Sequence, residues 1–362
     1  MRWRKSRDLL LIECGPSVTH KSLPKSWTCR RRLCRTLKDP RYAATQLCRL
    51  YSFTSTTSDP HIQTLLLNTE LSLDDASNEL RWIIAEVRDE ANKMMTRGKL
   101  PPIEEERVEE LVKRRSAGEP LQYILGSAGF GPINIRCQKP VLIPRPETAH
   151  IFTRLSSTIL SSVSSLTSSS RPSAHLPVLD ICTGTACIPL LLAHLNPLLT
   201  AVGIDNSPAA VSLGGANAKI LGMEGRVKVR YGNVFAESTR LLGREGKVGL
   251  VVSNPPYIPF KEWEQLPKSV KDWESPAALL GDGKNYGEGL AFYERIAEML
   301  PDLLLEEGEM EKKGWKGVPR VAVEVGLGQA RKVEEIFRCG QINNTEVWQD
   351  QFGIERMVVG WS

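Results

Sequence analysis

The 362-residue sequence has no CxxC pair among its eight cysteines, which removes the spacing that zinc ribbons and dithiol redox sites need. Cys14, Cys29, Cys34 and Cys48 fall near the amino end, and Cys137, Cys182, Cys187 and Cys339 are scattered. No disulfide framework follows, and a reducing compartment is expected. The sequence also lacks an unbroken apolar run long enough to cross a membrane. Residues 186–204 come nearest, but Pro189, His194, Asn196 and Pro197 interrupt them, which predicts a buried helix followed by a buried strand. Residues 9–12 are too short a run for the core of a secretory signal. No internal repeat is present, so a solenoid is not indicated.

Most of the chain has no strong excess of either sign of charge. The formal net charge of +5 combines two opposite regions: residues 1–58 carry 13 Lys and Arg against Asp8, Glu13 and Asp39, whereas the rest carries 34 basic and 39 acidic side chains. The leader is rich in Arg, poor in acids and dotted with Ser, Thr, Trp3, Leu33, Leu37 and Leu47, a composition that predicts a mitochondrial presequence and a matrix location. A solvated basic tail or an RNA-binding arm carries the same charge. The mildly acidic body argues against a nucleic-acid groove, so no stable nucleic-acid binding is expected, nor membrane association; a monomer is expected.

What is present points to an α/β protein with a second, smaller domain. Ser72 followed by Asp75 makes a candidate capping box, after which Ala76, Leu80, Ile83, Ile84, Val87 and Ala91 recur at helical spacing. A second helix is predicted from Pro102, with Val108, Leu111 and Val112 on one face and Gly118 at its end. Residues 60–120 therefore read as a small helical domain. Residues 121–150, punctuated by Gly126, Gly129, Gly131, Pro132, Pro140, Pro144 and Pro146, read as a hairpin-like connector, and residues 151–362 as the catalytic domain. Ile159, Leu160, Val163 and Leu166 have helical spacing within a serine-rich stretch, with residues 170–174 as loop. Strands are then predicted at 178–181, 201–204, 227–231 and 248–253, with helices at 188–195 and 209–221 between them, the alternation of a doubly wound sheet. The charged residues 306–317 read as a surface insertion between a helix ending near Leu305 and a strand at 320–325.

Two places carry chemistry. Behind the strand Pro177-Val178-Leu179-Asp180, the turn Cys182-Thr183-Gly184-Thr185-Ala186-Cys187 leads into an apolar helix, where small residues let the backbone approach a ligand and helix N–H groups are free. Asp205 ends the next strand, placed to accept both hydroxyl protons of a ribose. A dinucleotide fold gives the same spacing, and so does a tight strand-to-helix connection. The second place is Asn254-Pro255-Pro256-Tyr257 after the strand Val251-Val252-Ser253. Adjacent prolines end the ladder and fix the backbone. The Asn254 side chain and the Asn254-Pro255 main chain then offer two fixed carbonyl acceptors for the hydrogens of a planar –NH2 group, whose lone pair turns toward an electrophile, with the Tyr257 ring as cover. No metal is called for by this chemistry.

These residues resemble the HemK-like (PrmC) release-factor glutamine methyltransferases. The resemblance runs through Arg114-Arg115, Gly118-Glu119-Pro120-Leu121-Gln122-Tyr123-Ile124-Leu125-Gly126, Phe130, Val141-Leu142-Ile143-Pro144-Arg145-Pro146-Glu147-Thr148, the Asp180 turn, Asp205, Asn254 to Tyr257, Glu274 with Ala278-Leu279, Glu324-Val325-Gly326 with Gln329, and residues 353–360. It implies a seven-stranded S-adenosylmethionine-dependent methyltransferase fold of Rossmann type with an antiparallel last strand and a helical substrate-recognition domain before it. The implied reaction is methylation of N5 of the glutamine in a Gly-Gly-Gln loop of a peptide chain release factor, a mitochondrial one if the leader is a presequence. By position, the resemblance assigns Asp180, Cys182, Thr183, Gly184, Thr185 and Ala186 to the donor, Asp205 to its ribose, Asn233 and Val234 to its adenine, and Asn254, Pro255, Pro256 and Tyr257 to the glutamine. Arg145 and Glu147 would shape the pocket wall or form an ion pair. The family usually has glycine where Ala186 stands and an acid where Asn233 stands. Two other readings share the tetrapeptide: an N6-adenine nucleic-acid methyltransferase, and an inactive relative that only binds a partner.

Overall fold

The computed structural model describes residues 58–93, 105–164, 172, 174–236, 241–243, 246–282, 287–340 and 342–362. The expected presequence lies outside them except for its last residue, Ser58, and so do Pro102, Leu166 and Ser170.

The helical part starts with α1 (Pro60–Leu65), which the sequence reading did not separate; Asp59 accepts from the His61 and Ile62 N–H groups at its start. Helix α2 (Leu73–Lys93) opens on the expected capping box, with the Asp75 carboxylate accepting from the Ser72 N–H at 3.1 Å and the Ser72 hydroxyl accepting from the Asp75 N–H at 3.2 Å. Helix α3 (Glu105–Ser116) places Glu105 and Glu106 in its first turn and Lys113 to Arg115 in its last, matching its dipole. Ile62, Leu65, Leu80, Ile83, Val87, Val108, Leu111 and Val112 make a core of their own, each contributing about 1.5–3 kcal/mol on burial. The motif residues Arg115 and Glu119 act as joints here. Arg115 forks onto buried Glu79 at 2.6 and 3.1 Å and donates to the Glu119 carbonyl, and Arg114 grips the Glu119 carboxylate. A single turn, α4 (Leu121–Ile124), leads on.

The expected hairpin is β1 (Ser127–Phe130) against β2 (Ile133–Arg136), antiparallel. Residues 141–143, apolar like strand residues, form no strand. They run along a crevice instead, with the Val141 carbonyl accepting from the Tyr123 hydroxyl. Helix α5 (Pro146–Ser164) begins earlier than the serine-rich spacing suggested, with proline in its first turn, and passes through position 150.

The main sheet holds β3 (Leu176–Ile181), β4 (Leu199–Asp205), β5 (Val227–Tyr231), β6 (Leu250–Ser253), β7 (Val321–Glu324), β8 (Asn344–Gln349) and β9 (Glu355–Trp361) in the order β5-β4-β3-β6-β7-β9-β8. Five parallel strands are followed by β9, which runs antiparallel to both β7 and β8. This is the expected seven-stranded methyltransferase sheet with a reversed last strand. Residues 186–204 resolve into α6 (Cys187–Leu195) and β4, the buried helix and strand expected of them.

Alternate strand residues enter two cores. Leu176, Val178, Leu250 and Val252 meet α5, α6 and Ala218 of α7 (Pro208–Ile220) on one face. Leu179, Ile181, Val251 and Val323 meet α10 (Ala291–Leu303) and α12 (Ala330–Cys339) on the other, after the short α8 (Phe260–Trp263) and α9 (Lys268–Lys271).

The segment expected as a surface insertion, residues 306–317, lies at the surface but is anchored at two points. Its charges are exposed, but α11 (Glu307–Lys312) buries Met310, and Trp315 is 1% exposed with its indole N–H donating to the Ala174 carbonyl. Two large side chains in the core outweigh the polar composition around them.

Candidate active site

From central β3 the chain winds outward through β4 and β5, then returns to β6 on the other side. The gap beyond the carboxyl ends of β3 and β6 is therefore the switch point of the sheet. Ile181 pairs with Ser253, so Cys182 and Asn254 leave adjacent strands at the same level, with backbones about 5 Å apart. The Ser253 hydroxyl donates to the Ile181 carbonyl at 2.6 Å and fastens the two strand ends together.

The turn after β3 is built in left-handed backbone: Cys182, Gly184 and Ala186 have φ of 59°, 53° and 61°. Glycine adopts this at no steric cost, whereas a side chain there costs about 1–2 kcal/mol. Ala186, where the family usually has glycine, sits at such a position. Its methyl is enclosed and packs near Gly214 of α7. Thr183 nests over Gly203 of β4, where any Cβ would collide with the Thr183 side chain. The Thr183 hydroxyl donates to Asp180 Oδ2 at 2.5 Å, while Asp180 Oδ1 has no partner. Burial, with Asp205 adding to it, pushes the Asp180 carboxyl up to about 8 against the Thr183 hydrogen bond.

At the end of β4, Asp205 accepts from the Gly184 N–H through Oδ2 and from the Ser207 N–H through Oδ1, both at 2.9 Å. Each oxygen keeps a lone pair, which suits the two hydroxyls of a ribose. Burial raises this carboxyl too, though backbone N–H groups oppose it. Buried Asn217 of α7 ties the turn to the hairpin, donating to the Thr185 and Arg136 carbonyls and accepting from the Arg136 N–H. Arg295 of α10 holds the next segment by donating to the Val234 and Ala236 carbonyls.

After β6, Asn254 points its side-chain Nδ2 at the Thr148 hydroxyl of α5, 3.4 Å away. At the end of β7, burial pushes the Glu324 carboxyl up to about 7, with Thr148 and Arg356 nearby opposing the rise. Tyr257 is fixed through its carbonyl, which accepts from Gln329 Nε2 at 2.9 Å, and the same amide group donates to the Glu288 carbonyl at 2.7 Å.

The two motifs share one crevice of about 1000 Å³, counting its open mouth. Cys182, Thr183, Gly184, Thr185, Asp205, Val234, Asn254 and Pro256 all line it. The other assigned residues do not. Asp180 is fully enclosed behind the turn, and Ala186 is equally enclosed under α6. Asn233 is exposed and its side-chain carbonyl already accepts from the Phe235 N–H. Pro255 is buried and does not line the crevice. Tyr257 lines an adjoining groove with Ile258, Glu288, Gly326 and Lys332 rather than the crevice itself, so the ring cover expected over the amide is not formed by it within the crevice.

The residues present fit S-adenosylmethionine. A carboxylate with free lone pairs waits for the ribose, Ile204, Val234 and Phe292 make apolar walls for a flat base, and a glycine-bearing turn brings backbone close. Phe292 is braced edge-on by Phe235, with ring centroids 5.0 Å apart. Arg145 also lines the crevice, but its ion-pair partner is Glu274, at 2.8 and 2.7 Å from the two carboxylate oxygens, and not Glu147. This pair ties the start of α5 to the loop after α9.

Thr148, Glu324 and Gln329 stood in the resembling stretches with no role of their own. Asn217, Arg295 and Phe292 carried no sequence signal at all, since each acts by meeting a segment distant in the chain.

Residues 67–126 match the PrmC N-terminal domain family and residues 158–269 the methyltransferase small domain family. The release factor glutamine methyltransferase of Geobacter sulfurreducens is 35% identical over 251 residues, spanning 69% of this chain and 76% of that protein. That of Thermodesulfovibrio yellowstonii is 31% identical over 252 residues, spanning 70% and 80%. Among solved structures, the N-terminal domain of human METTL16 in complex with SAH aligns at 17% identity and a TM-score of 0.43, covering 68% of this chain and 81% of that one.

Proposed function

Because the chain belongs to the release factor glutamine methyltransferase family, we propose that it methylates N5 of the glutamine in the Gly-Gly-Gln loop of a mitochondrial peptide chain release factor. The observation that carries this reading is the single crevice shared by the Gly184 turn and Asn254. S-adenosylmethionine, when bound, supplies the methyl group on a positively charged sulfonium. The chain supplies position. Asp205 holds the ribose end, and the left-handed turn sets the depth at which the donor stops. Asn254 offers its side-chain carbonyl to the amide –NH2 of the glutamine, and the prolines after it keep that acceptor from swinging away. An amide nitrogen is a poor nucleophile because its lone pair is shared with the carbonyl, so orientation by fixed acceptors is the help it needs.

The Arg-rich composition of residues 1–58 supports the mitochondrial location, and with it the choice of acceptor. Incubating the protein with donor and a mitochondrial release factor, then mapping the added 14 Da by mass spectrometry, tests the reading; about 14 Da is one CH2. The modification is expected on the loop glutamine. Label found in DNA or RNA and absent from protein would establish the adenine reading instead, and failure to bind donor in calorimetry would establish an inactive binding protein.

A further inference from the structure

We propose, on the footing of the glutamine reading, that Gln329 is a positioning residue that sets the pose of Asn254-Pro255-Pro256-Tyr257 by holding the far end of that tetrapeptide. Gln329 is the N-cap of α12 and is buried, and its side-chain amide joins three segments. Its Oε1 accepts from the N–H of Gly326, two residues past β7, at 2.9 Å. Its Nε2 donates to the Tyr257 carbonyl at 2.9 Å and to the carbonyl of Glu288, ahead of α10, at 2.7 Å.

Donor and acceptor counting makes a carboxamide specific to this place. Two main-chain carbonyls need two N–H donors, which one –NH2 group supplies, and the remaining oxygen suits the Gly326 N–H. Turned end for end, the amide would set its own oxygen against both carbonyls, so one orientation is fixed. The Gln329 main-chain N–H also donates to the Gly326 carbonyl at 3.1 Å, which closes a small ring with the side-chain bond and keeps the amide from swinging. Glycines make the room for it. A Cβ at Gly289 would collide with the Tyr257 carbonyl, and one at Gly326 would lie 2.9 Å from Tyr257 Cδ2 and 2.6 Å from Gln329 Oε1. Tyr257 is thus gripped at its carbonyl and along one edge of its ring.

The tetrapeptide needs such a hold. It starts from Ser253, which is paired with Ile181 and fastened to it by its hydroxyl, but Pro255 and Pro256 have no N–H with which to bond a neighbouring segment. Proline fixes φ and leaves ψ to be set by what lies at either end. The level at which Asn254 stands over β6 therefore depends on where Tyr257 is held. Gln329 lines the groove beside the crevice, with Tyr257, Glu288 and Gly326, and not the crevice itself. Loss of its grip reaches the reacting atoms through Asn254 and leaves the Gly184 turn and Asp205 as they are.

The test uses the full chain saturated with donor, carrying 13C at tyrosine carbonyls and 15N in isoleucine and asparagine. Only Tyr123-Ile124 and Tyr257-Ile258 place a labelled carbonyl before a labelled isoleucine, and Tyr257→Phe identifies the second by its loss. The Asn254 side-chain NH2 signal is identified by its loss in Asn254→Ala. In Gln329→Met, which keeps the length and removes the hydrogen bonds, both signals are expected to shift. In Gln329→Glu both are expected to move back toward their native positions as pH falls from about 8 to 5.5, because the protonated acid regains an O–H to donate, and Gln329→Met is expected to show no such return. A Tyr257 carbonyl that does not move, an Asn254 signal that stays in place while the carbonyl shifts, or the same pH response in both variants overturns the proposal. This arm needs no turnover, so a native chain that leaves the release factor unmodified sinks the glutamine reading and not the hold on the tetrapeptide. In the transfer assay at pH 8, kcat/KM for the release factor is expected to fall about 100-fold in Gln329→Met, the cost of a misplacement of about 1 Å, with donor affinity within about twofold by calorimetry. An unchanged kcat/KM, or a loss of donor affinity as large as the loss of kcat/KM, which marks a merely structural role, would also overturn it.

Discussion

The two halves of the crevice leave neighbouring strands at the same level yet are held by different means. The donor half is local: within residues 180–186 a left-handed backbone, the Thr183 hydroxyl on Asp180 and the enclosed Ala186 methyl set the turn, and Asp205 joins from the next strand. The acceptor half has its backbone fixed by prolines, but its other restraints come from far away in sequence: the Asn254 side chain meets Thr148, 106 residues earlier, and the Tyr257 carbonyl accepts from Gln329, 72 residues later. A turn that carries its own restraints tolerates change elsewhere. A tetrapeptide oriented by remote partners depends on the packing of α5 and β7 against β6.

That contrast can be broken most forcefully at its acceptor end. Asn254→Ala is expected to lower kcat/KM for the release factor about 100- to 1000-fold, the range seen when a single fixed polar group is removed from a reacting centre, while leaving donor affinity within about twofold by calorimetry. A large loss of donor affinity would show that the two halves are not separable. Asp205→Asn should do the reverse, weakening donor binding about tenfold or more with transfer recovering at saturating donor, since hydrogen bonds to a charged group contribute about 1.5–3 kcal/mol.

A smaller effect tests how the donor half stores its charge. The Asp180 carboxyl is raised to about 8 from an ordinary 3.8, chiefly by burial. A raised carboxyl favours the folded state fully below about pH 4, and that contribution is lost as pH rises through about 8. Thermal unfolding of the donor-free protein should therefore fall in Tm from about pH 5 to 9, and Asp180→Asn should flatten that slope by a few degrees. An equally steep slope in the variant would assign it to other groups, with Glu324 the first to examine. The smallest change is expected of Ala186→Gly, which relieves a left-handed alanine but gives up a buried methyl; a gain of about 1 kcal/mol or less, about 2–4 °C in Tm at most, is the expected result.

Legibility followed the same division. Asp180, the Gly184 turn and Asp205 could be read because strand, turn and strand end lie within 26 residues and their spacing is imposed by the α/β repeat itself. The capping box at Ser72 and the apolar spacing of α2 were equally local and equally plain. The burial of Trp315 and Met310 was not legible because composition reports a segment's neighbours in sequence, and these two are buried by neighbours in space. Asn217, Arg295 and Phe292 were invisible for the same reason. Tyr257 lines the groove beside the crevice, a placement that its residue type does not specify.

By itself the sequence determined the β/α alternation from β3 to β6, the two backbone devices that end β3 and β6, and the residue types able to grip a ribose and an amide. Tertiary structure alone decided that Thr148 meets the Asn254 side chain, that Arg145 pairs with Glu274, and that Asp180 lies beneath the crevice floor rather than in it. The reason is physical: backbone conformation and periodicity are properties of short segments, whereas hydrogen-bond direction and burial are set by whichever distant groups the packing brings within about 3 Å.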